Sequence, residues 1–367
     1  MQPGPILADD AFTSRDIGNF MSEIIEKSVD SLAEDLSSSE EPQNGSRFSL
    51  NRILNSILVF SLAGVFFYAI ATFASDYQAI FHAMALFPIK DLGLVLLLVT
   101  VGWLIRGWRF HYYLVNMGES VPFFYAAMTF LAGFALTGTP GKVGEAMKGV
   151  FLKRDYGVSV TRVVGVVVVE RLMDLFGVLI LGSFSLLFFP GWRNIFLALA
   201  AVVIAGGIFL CMEKIYRPIL EAMSRLPIAS WVSIKILRIL LSGKDLMRPR
   251  IFLVGLIVSV VAWAMEAVSM FVVMRGFGLH GTLTEANFVY CFSTILGALS
   301  MLPGGIGGTE ASMIGLFAYL GISYSDGLPA VILIRLCTLW YAVFAGMALS
   351  FYLLSLKKGA RSPVRPV

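Results

Sequence analysis

The chain has 367 residues, of which 57% are hydrophobic and only 14% are charged. With a mean hydropathy of +0.81, this composition excludes a soluble globular protein. The formal net charge is only +4, and no nucleic-acid partner is expected. The chain is therefore expected to be an all-α polytopic membrane protein.

The chain is predicted to contain one membrane domain between two tails. Residues 1–50 carry ten acidic and three basic side chains and lack the apolar stretch of a signal peptide, so they predict a disordered cytoplasmic tail. The transmembrane domain is expected at 51–356, with a first repeat at about 51–190 and a second at about 191–356. A basic cytoplasmic tail follows at 357–367.

Six apolar segments are each long enough to cross a bilayer core of about 30 Å, which takes roughly 20 helical residues. These predicted spans are 53–75, 91–113, 158–189, 193–212, 250–277 and 326–356. Two other apolar segments, 122–153 and 286–321, are interrupted by proline and glycine, and the arm at 143–153 is too short to span. Irregular backbone at membrane depth is tolerated only beside protein or a watery cavity. Each interrupted segment is therefore predicted to be a re-entrant helical hairpin.

The distribution of basic residues predicts the orientation of the spans. If both hairpins return to the side from which they enter, one face collects Arg106, Arg109, Lys153, Arg154, Arg162, the 213–250 loop and the C-terminal Lys357, Lys358, Arg361 and Arg365. This bias places both termini in the cytoplasm. The two halves then run in opposite directions through the bilayer, as in the inverted-topology repeats of many carriers.

The two interrupted segments share a sequence pattern at their breaks. Because proline lacks a backbone N–H and glycine permits unusual dihedrals, the chain is expected to turn at both breaks. The residues predicted to shape the two turns are Pro140, Gly141, Gly144, Pro303, Gly304, Gly305, Gly307 and Gly308. Each break is followed by an acid, Glu145 in the first hairpin and Glu310 in the second.

A second repeated element lies downstream of each break. Gly157 and Gly321 are each followed fourteen residues later by an arginine in an apolar helix, Arg171 and Arg335. An arginine in hydrocarbon costs roughly 2.5–3.5 kcal/mol, and its planar fork suits a lipid phosphate. The alternative is a structural ion pair, with Asp174 one turn from Arg171 and a glutamate of another helix near Arg335.

Four acids are candidate site residues. Glu145 and Glu310 are expected in the first turns of half-helices, where an acid can simply cap the helix. The functional alternatives are a charge partner for the arginines, a proton site or a contact to a cationic headgroup. Asp174 and Glu266 lie inside predicted spans, where an ionisable group indicates function by default.

Two lysines of the first hairpin, Lys142 and Lys148, are candidates for drawing anionic lipid from the inner leaflet, or else ordinary positive-inside residues. The cysteines and histidines lack metal-ligand spacing, so no metal, cofactor or catalytic residue is predicted. Trp103 and Trp108 are among the aromatic residues expected at membrane interfaces or against lipid.

These motifs resemble the lysylphosphatidylglycerol synthase transmembrane (flippase-like) family over about residues 50–356. The similar motifs are Gly144-Glu145-Ala146, Gly157-Val158-Ser159, Glu170-Arg171-Leu172 with Asp174, Leu302 to Ala311, and Arg335-Leu336. The resemblance implies an inner-membrane protein that moves or handles lipids. In the best-understood members this region translocates aminoacylated phosphatidylglycerol, and a soluble aminoacyltransferase domain follows it. This chain has only a short basic tail there, so lysyl transfer is not expected.

The sequence thus favours a lipid transporter whose substrate is an anionic or phosphate-containing lipid. The headgroup stays open, because other single-domain relatives are associated with isoprenoid lipids, hopanoids or glycolipids. A membrane-embedded transferase or an accessory protein of lipid biosynthesis is the alternative, and a scaffold that recruits lipid-modifying enzymes is a third. Homo-oligomers are compatible with all three.

Overall fold

The computed structural model describes residues 77–137, 147–225, 230–300 and 302–356, and every regular element within them is helical. The α-helices are, in chain order, α1 Tyr77–Ala85, α2 Ile89–Asn116, α3 Phe123–Ala132, α4 Met147–Tyr156, α5 Val160–Ser185, α6 Arg193–Cys211, α7 Glu213–Ser224, α8 Ser230–Ser242, α9 Pro249–Gly276, α10 Leu283–Leu299, α11 Gly308–Tyr319, α12 Tyr324–Arg335 and α13 Tyr341–Ser355. The all-α prediction is confirmed for this part of the chain.

Within the described ranges, three helical stretches are long and apolar enough to cross a membrane: Pro190–Cys211, Pro249–Gly276 and Tyr324–Ser355. They correspond to the fourth, fifth and sixth predicted spans. The second and third predicted spans are also single long helices, α2 and α5, but each carries charged residues in its interior. The first predicted span, 53–75, lies outside the described residues.

Helices α2 and α9 form an antiparallel pair at the centre of the structure. Each has 28 residues. The rings of Phe87, just before α2, and Phe277, just after α9, lie 4.9 Å apart. Towards the other end, Arg109 of α2 donates a hydrogen bond to Ser259 of α9. At the crossing point a side chain on Gly102 would come within 3.3 Å of a carbonyl oxygen of α9, so glycine allows this close approach.

The second interrupted segment is a helical hairpin made of α10 and α11. A capping box between Thr282 and Glu285 begins α10. The rings of Phe288 and Tyr319, at the open ends of the two arms, have centroids 6.4 Å apart. At the turn Gly304 and Gly307 have φ angles of +61° and +87°, in the region that favours glycine. The arms have 17 and 12 residues, or about 25 and 18 Å of helix.

The first interrupted segment has the same form within the described residues. Helix α3 continues into a 3₁₀ turn at Gly133–Leu136, and α4 returns beside it. The rings of Tyr125 and Tyr156 lie 4.8 Å apart, and the Tyr125 hydroxyl donates to Asp155. The tip, residues 138–146, lies outside the described residues.

Helix α5 connects most of these elements. Its Leu181 carbonyl oxygen accepts a hydrogen bond of 2.8 Å from Asn287 of α10. Its Phe176 ring lies 6.1 Å from Phe252 of α9. Towards its N-terminus the Thr161 carbonyl accepts a hydrogen bond from α8. Glu170 and Asp174 of α5 are therefore held in the middle of the helical assembly.

The last helical stretch joins the two halves of the structure. Helix α12 passes through a π-helical turn at Leu336–Trp340 into α13, and such turns often occur at functional sites. A side chain on Gly346 of α13 would collide with the backbone of Ala135, so α13 packs directly on the first hairpin. Ser350 also donates to the Ala132 carbonyl oxygen at 3.2 Å.

Helices α7 and α8 form a charged and apolar pair within the basic 213–250 segment. Arg217 pairs with Glu213 and Glu221 along α7. The Lys244 ammonium, by a hydrogen bond and its charge, holds the pKa of Glu213 below its usual value. Trp231 is exposed, and Lys235 lies 3.7 Å above its ring. The ionised groups of α7 are therefore open to solvent, unlike the buried Glu170 and Asp174 of α5.

Candidate functional site

A cavity of about 370 Å³ lies among α2, α5, α9, α10, the turn of the second hairpin and the end of α12. Charged side chains from four helices line it, although all these helices are mainly apolar. We call this set the cavity network: Arg106, Arg171, Asp174, Glu266 and Arg335. Four of its five members were singled out by the sequence, and the fold brings these four to one place.

Arg335 is tied to the turn of the second hairpin. Its Nε donates to Glu310 Oε1 at 2.6 Å, and its Nη2 donates to the Gly304 carbonyl oxygen at 2.9 Å. The other carboxylate oxygen of Glu310 accepts from the Gly307 backbone N–H at 2.8 Å. Glu310 therefore caps α11 and pairs with Arg335 at the same time. Helix capping and charge pairing, which the sequence offered as alternatives, both occur.

Arg171 lies at the equivalent place in α5. Its Nη2 is 3.3 Å from Asp174 Oδ2, which is the local pairing that the spacing suggested. Asp174 also binds Arg109 Nη1 at 2.8 Å and accepts from the Ser259 hydroxyl at 3.1 Å. The Arg171 side chain is 29% exposed and Asp174 only 5%, so the arginine is the more accessible partner.

Arg106 and Glu266 form the third charged contact of the cavity. Arg106 Nη1 lies 2.6 Å from Glu266 Oε1, and the Tyr290 hydroxyl donates to the other carboxylate oxygen. The guanidinium of Arg106 also stacks 4.5 Å above the Trp263 ring. Arg106 was counted among the basic residues of the cytoplasmic face, and the structure shows that its side chain is 7% exposed and paired inside the protein.

The position of these residues in their helices could have indicated this pair. Arg106 and Glu266 each lie ten residues before the last residue of a 28-residue helix. An ionisable side chain so far inside a membrane helix is expected to find a partner within the protein. Trp103 was likewise expected at a membrane interface, but it is 4% exposed and lines the cavity.

A second charged group lies behind the cavity wall, and we call it the closed network: Arg109, Lys148 and Glu170. Lys148 Nζ is 3.1 Å from Glu170 Oε2, and Arg109 Nη2 is 3.8 Å from Glu170 Oε1. All three side chains are fully buried. Lys148 also lies 4.3 Å above the Phe130 ring. The prediction that Lys148 draws lipid from the inner leaflet is therefore wrong, because a buried lysine paired inside the bundle does not reach the membrane surface.

The remaining predicted site residues fall into two groups. In the second hairpin Pro303 and Gly305 belong to a short 3₁₀ turn, and Gly308 begins α11. In the first hairpin the predicted residues Pro140, Gly141, Lys142, Gly144 and Glu145 lie outside the described residues.

The cavity therefore presents ionised groups inside an apolar helical assembly. Such groups are costly to bury unless they are paired, and ionisable residues inside membrane helices commonly mark substrate or ion pathways. The volume falls within the range of small-molecule sites, about 300–1,000 Å³.

Comparisons with known proteins agree with this architecture. The family model described as "Lysylphosphatidylglycerol synthase TM region" matches residues 54–346. A UPF0104 membrane protein of Methanothermobacter thermautotrophicus is 25% identical over 146 residues, which are 40% of this chain and 42% of that relative. A UPF0104 membrane protein of Methanocaldococcus jannaschii is 23% identical over 219 residues, 58% of this chain and 91% of the relative. The chain thus spans less than half the length of the first of these relatives.

Proposed function

Because the chain belongs to the lysylphosphatidylglycerol synthase transmembrane family, we propose that it transports a phospholipid or another lipid-linked phosphate between the leaflets. The headgroup would enter the central cavity while the acyl chains stay in the bilayer. The observation that carries the proposal is the cavity itself, which gathers the two repeated arginines with Asp174 and Glu266 inside a membrane protein.

The proposed mechanism is alternating access by an inverted-topology repeat of six spans and two re-entrant hairpins. Two observations support it. The central helices α2 and α9 are antiparallel and equal in length. Both interrupted segments fold back on themselves, and each packs against charged residues of the networks. Carriers of this architecture bind substrate near the midplane, where half-helices meet.

The pairing of the cavity charges suits a carrier. Arg335 of α12 is held by Glu310 of the second hairpin, whereas Arg171 pairs with Asp174 within its own helix, α5. A substrate headgroup that enters the cavity beside the Arg335–Glu310 pair would loosen the contact between α12 and the second hairpin. Substrate binding and the movement of a hairpin would then be linked through the same hydrogen bonds. We also propose an inner-membrane location with both termini in the cytoplasm, from the distribution of basic residues.

Lipid exchange in proteoliposomes tests this proposal. Purified protein is reconstituted with a trace of headgroup-labelled phospholipid, and the label in the outer leaflet is followed by chemical quenching. Wild type is expected to exchange lipid well above protein-free vesicles. The Arg171→Ala plus Arg335→Ala variant is expected to fall to that background. Equal exchange by both proteins contradicts the proposal.

A matched control separates loss of the site from loss of any two arginines. Arg162 and Arg217 have side chains that are 52% and 51% exposed, far from the cavity lining. Arg162→Ala plus Arg217→Ala should therefore keep exchange close to wild type. Mass spectrometry of the recovered lipids tests the transferase alternative. A chemically modified lipid would indicate that the protein is a transferase and not a transporter.

A further inference from the structure

We propose that the oxyanion of the substrate binds to the unpaired edge of Arg106, with Trp263 and Thr137 as additional donors, and not to the two repeated arginines. This inference rests on the proposed function and deepens it by locating the headgroup phosphate. None of these three residues was singled out as a site residue by the sequence motifs, and all three line the central cavity.

The guanidinium of Arg106 uses only part of its hydrogen-bonding capacity. Its Nη1 donates to Glu266, whereas Nε and Nη2 have no hydrogen-bond partner among the described residues. Nε and Nη2 form one edge of the planar group, which is the two-donor fork that binds phosphate or carboxylate oxygens in a bidentate way. Glu266 and the Trp263 ring hold the plane of this fork in place.

Two further donors lie around the same space. Within the described part of the chain, the indole Nε1 of Trp263 and the hydroxyl of Thr137 also lack partners. Trp263 belongs to α9 and Thr137 follows the 3₁₀ turn of the first hairpin, so with Arg106 of α2 the donors come from three elements. Three such donors from separate elements line one cavity, although most buried side-chain polar atoms in proteins have a hydrogen-bond partner.

The repeated arginines differ from Arg106 in this respect. The same Nε and Nη2 edge of Arg335 is already filled by Glu310 and the Gly304 carbonyl oxygen. Arg171 holds Asp174 through Nη2, one of the two atoms of that edge. An oxyanion that binds both atoms of the edge would have to displace a carboxylate from either arginine, whereas no described residue occupies the fork of Arg106.

The donor atoms of Arg106, Trp263 and Thr137 are closed to solvent in this conformation. A phosphate reaches them only when side chains of the cavity wall move aside. Leaving charged donors buried and unpaired is unfavourable, so a bound oxyanion would stabilise the opened wall by satisfying them. The chemical class is therefore a tetrahedral oxyanion, from a lipid headgroup or from free phosphate.

Equilibrium binding to the purified full-length protein in a neutral sugar detergent distinguishes these sources. The probes are phosphatidic acid, diacylglycerol with the same acyl chains, and inorganic phosphate. Arg106→Lys keeps the charge beside Glu266 but removes the fork, and it is expected to weaken phosphatidic acid binding about tenfold or more. Trp263→Phe and Thr137→Val should each weaken it by a smaller factor, and diacylglycerol binding should not depend on any of the three.

Two controls match these changes. Trp108→Phe removes an exposed indole from α2, and Thr129→Val removes a buried, unpaired hydroxyl that does not line the cavity. Both should bind phosphatidic acid like wild type. Binding should also change tryptophan fluorescence in wild type and in Trp108→Phe by more than in Trp263→Phe, in which Trp103 remains as a tryptophan of the cavity lining.

The outcomes separate the two proposals. If wild type binds phosphatidic acid and the Arg106→Lys and Trp263→Phe variants bind it equally well, the Arg106 site is overturned while the transport proposal stands. If wild type binds no phosphate-bearing lipid, the proposed function fails first. If inorganic phosphate binds as tightly as the lipid and loses affinity in Arg106→Lys, the oxyanion site holds with free phosphate as its ligand.

Discussion

The cavity network and the closed network meet within about one helical turn of α5, at residues 170–174, and they differ in access to open space. Glu170 of the closed network is fully buried between Lys148 and Arg109. Arg171, the next residue, is 29% exposed and faces the cavity. Adjacent residues of one helix therefore serve two environments, because neighbouring side chains point in different directions.

This difference in exposure separates charges that hold the structure together from charges that a ligand can reach. In the closed network all three ions are fully buried, so removing one of them leaves the others with less compensation in a place that water does not reach. In the cavity network a lost partner can be replaced by water or by a headgroup. We therefore expect changes in the closed network to alter folding and changes in the cavity network to alter transport.

The largest effect is expected from Glu170→Ala. This change leaves both Lys148 and Arg109 without their shared carboxylate, and breaking a buried pair costs about 3–5 kcal/mol of folding free energy. Thermal unfolding in detergent should show a large fall in the midpoint temperature or loss of folded protein. Glu221→Ala is the matched control, since its carboxylate pairs with Arg217 on an exposed surface. Similar shifts for the two variants would remove the distinction between the networks.

An intermediate effect is expected from Gly307→Ala, which tests how firmly the second hairpin holds the cavity network. Gly307 has φ +87°, and a side chain there costs about 1–3 kcal/mol through backbone strain. The same strain would shift the backbone N–H that binds Glu310, and hence Arg335. Both stability and lipid exchange should fall.

Gly315 of α11 is the control for this substitution. No atom lies within 4 Å of a side chain added there, and alanine is favoured over glycine inside a helix by about 1 kcal/mol. Gly315→Ala should therefore raise the unfolding temperature slightly and leave exchange unchanged. A fall in exchange in both variants would mean that the hairpin tolerates no change, whatever its position.

The smallest effect on stability is expected from Arg171→Gln. Its side chain is partly exposed and Asp174 keeps Arg109, so the free energy of unfolding should change by less than about 1 kcal/mol. Lipid exchange should nevertheless decrease, because the substrate loses a cation of the cavity. An unfolding shift as large as that of Glu170→Ala would place Arg171 with the structural charges.

Part of this organisation could be predicted from the sequence. The repeated glycine breaks and the arginines fourteen residues after Gly157 and Gly321 indicated two equivalent helices with buried charges. The fold brings Arg171 and Arg335 to one cavity. Such spacing depends only on local helix and turn structure, and it can therefore be recognised in a single sequence.

The pairing of cations across helices could not be predicted in the same way. Arg106 and Arg109 lie towards the end of an apolar run, where a count of basic residues treats them as solvent-exposed. Their burial depends on the packing of α9 against α2, which puts Glu266 and Ser259 beside them. Lys148 was misplaced for the same reason, since its partner Glu170 comes from another helix.

The meeting of Arg106 with Glu266 has a consequence for energetics. Arg106 and Glu266 come from the two central helices and are both buried, so each charge is compensated by the other across the helix contact. Separating α2 from α9 at this point would leave two buried charges without their partners, and breaking such a pair costs about 3–5 kcal/mol. The pair is therefore an electrostatic link that resists separation of α2 and α9.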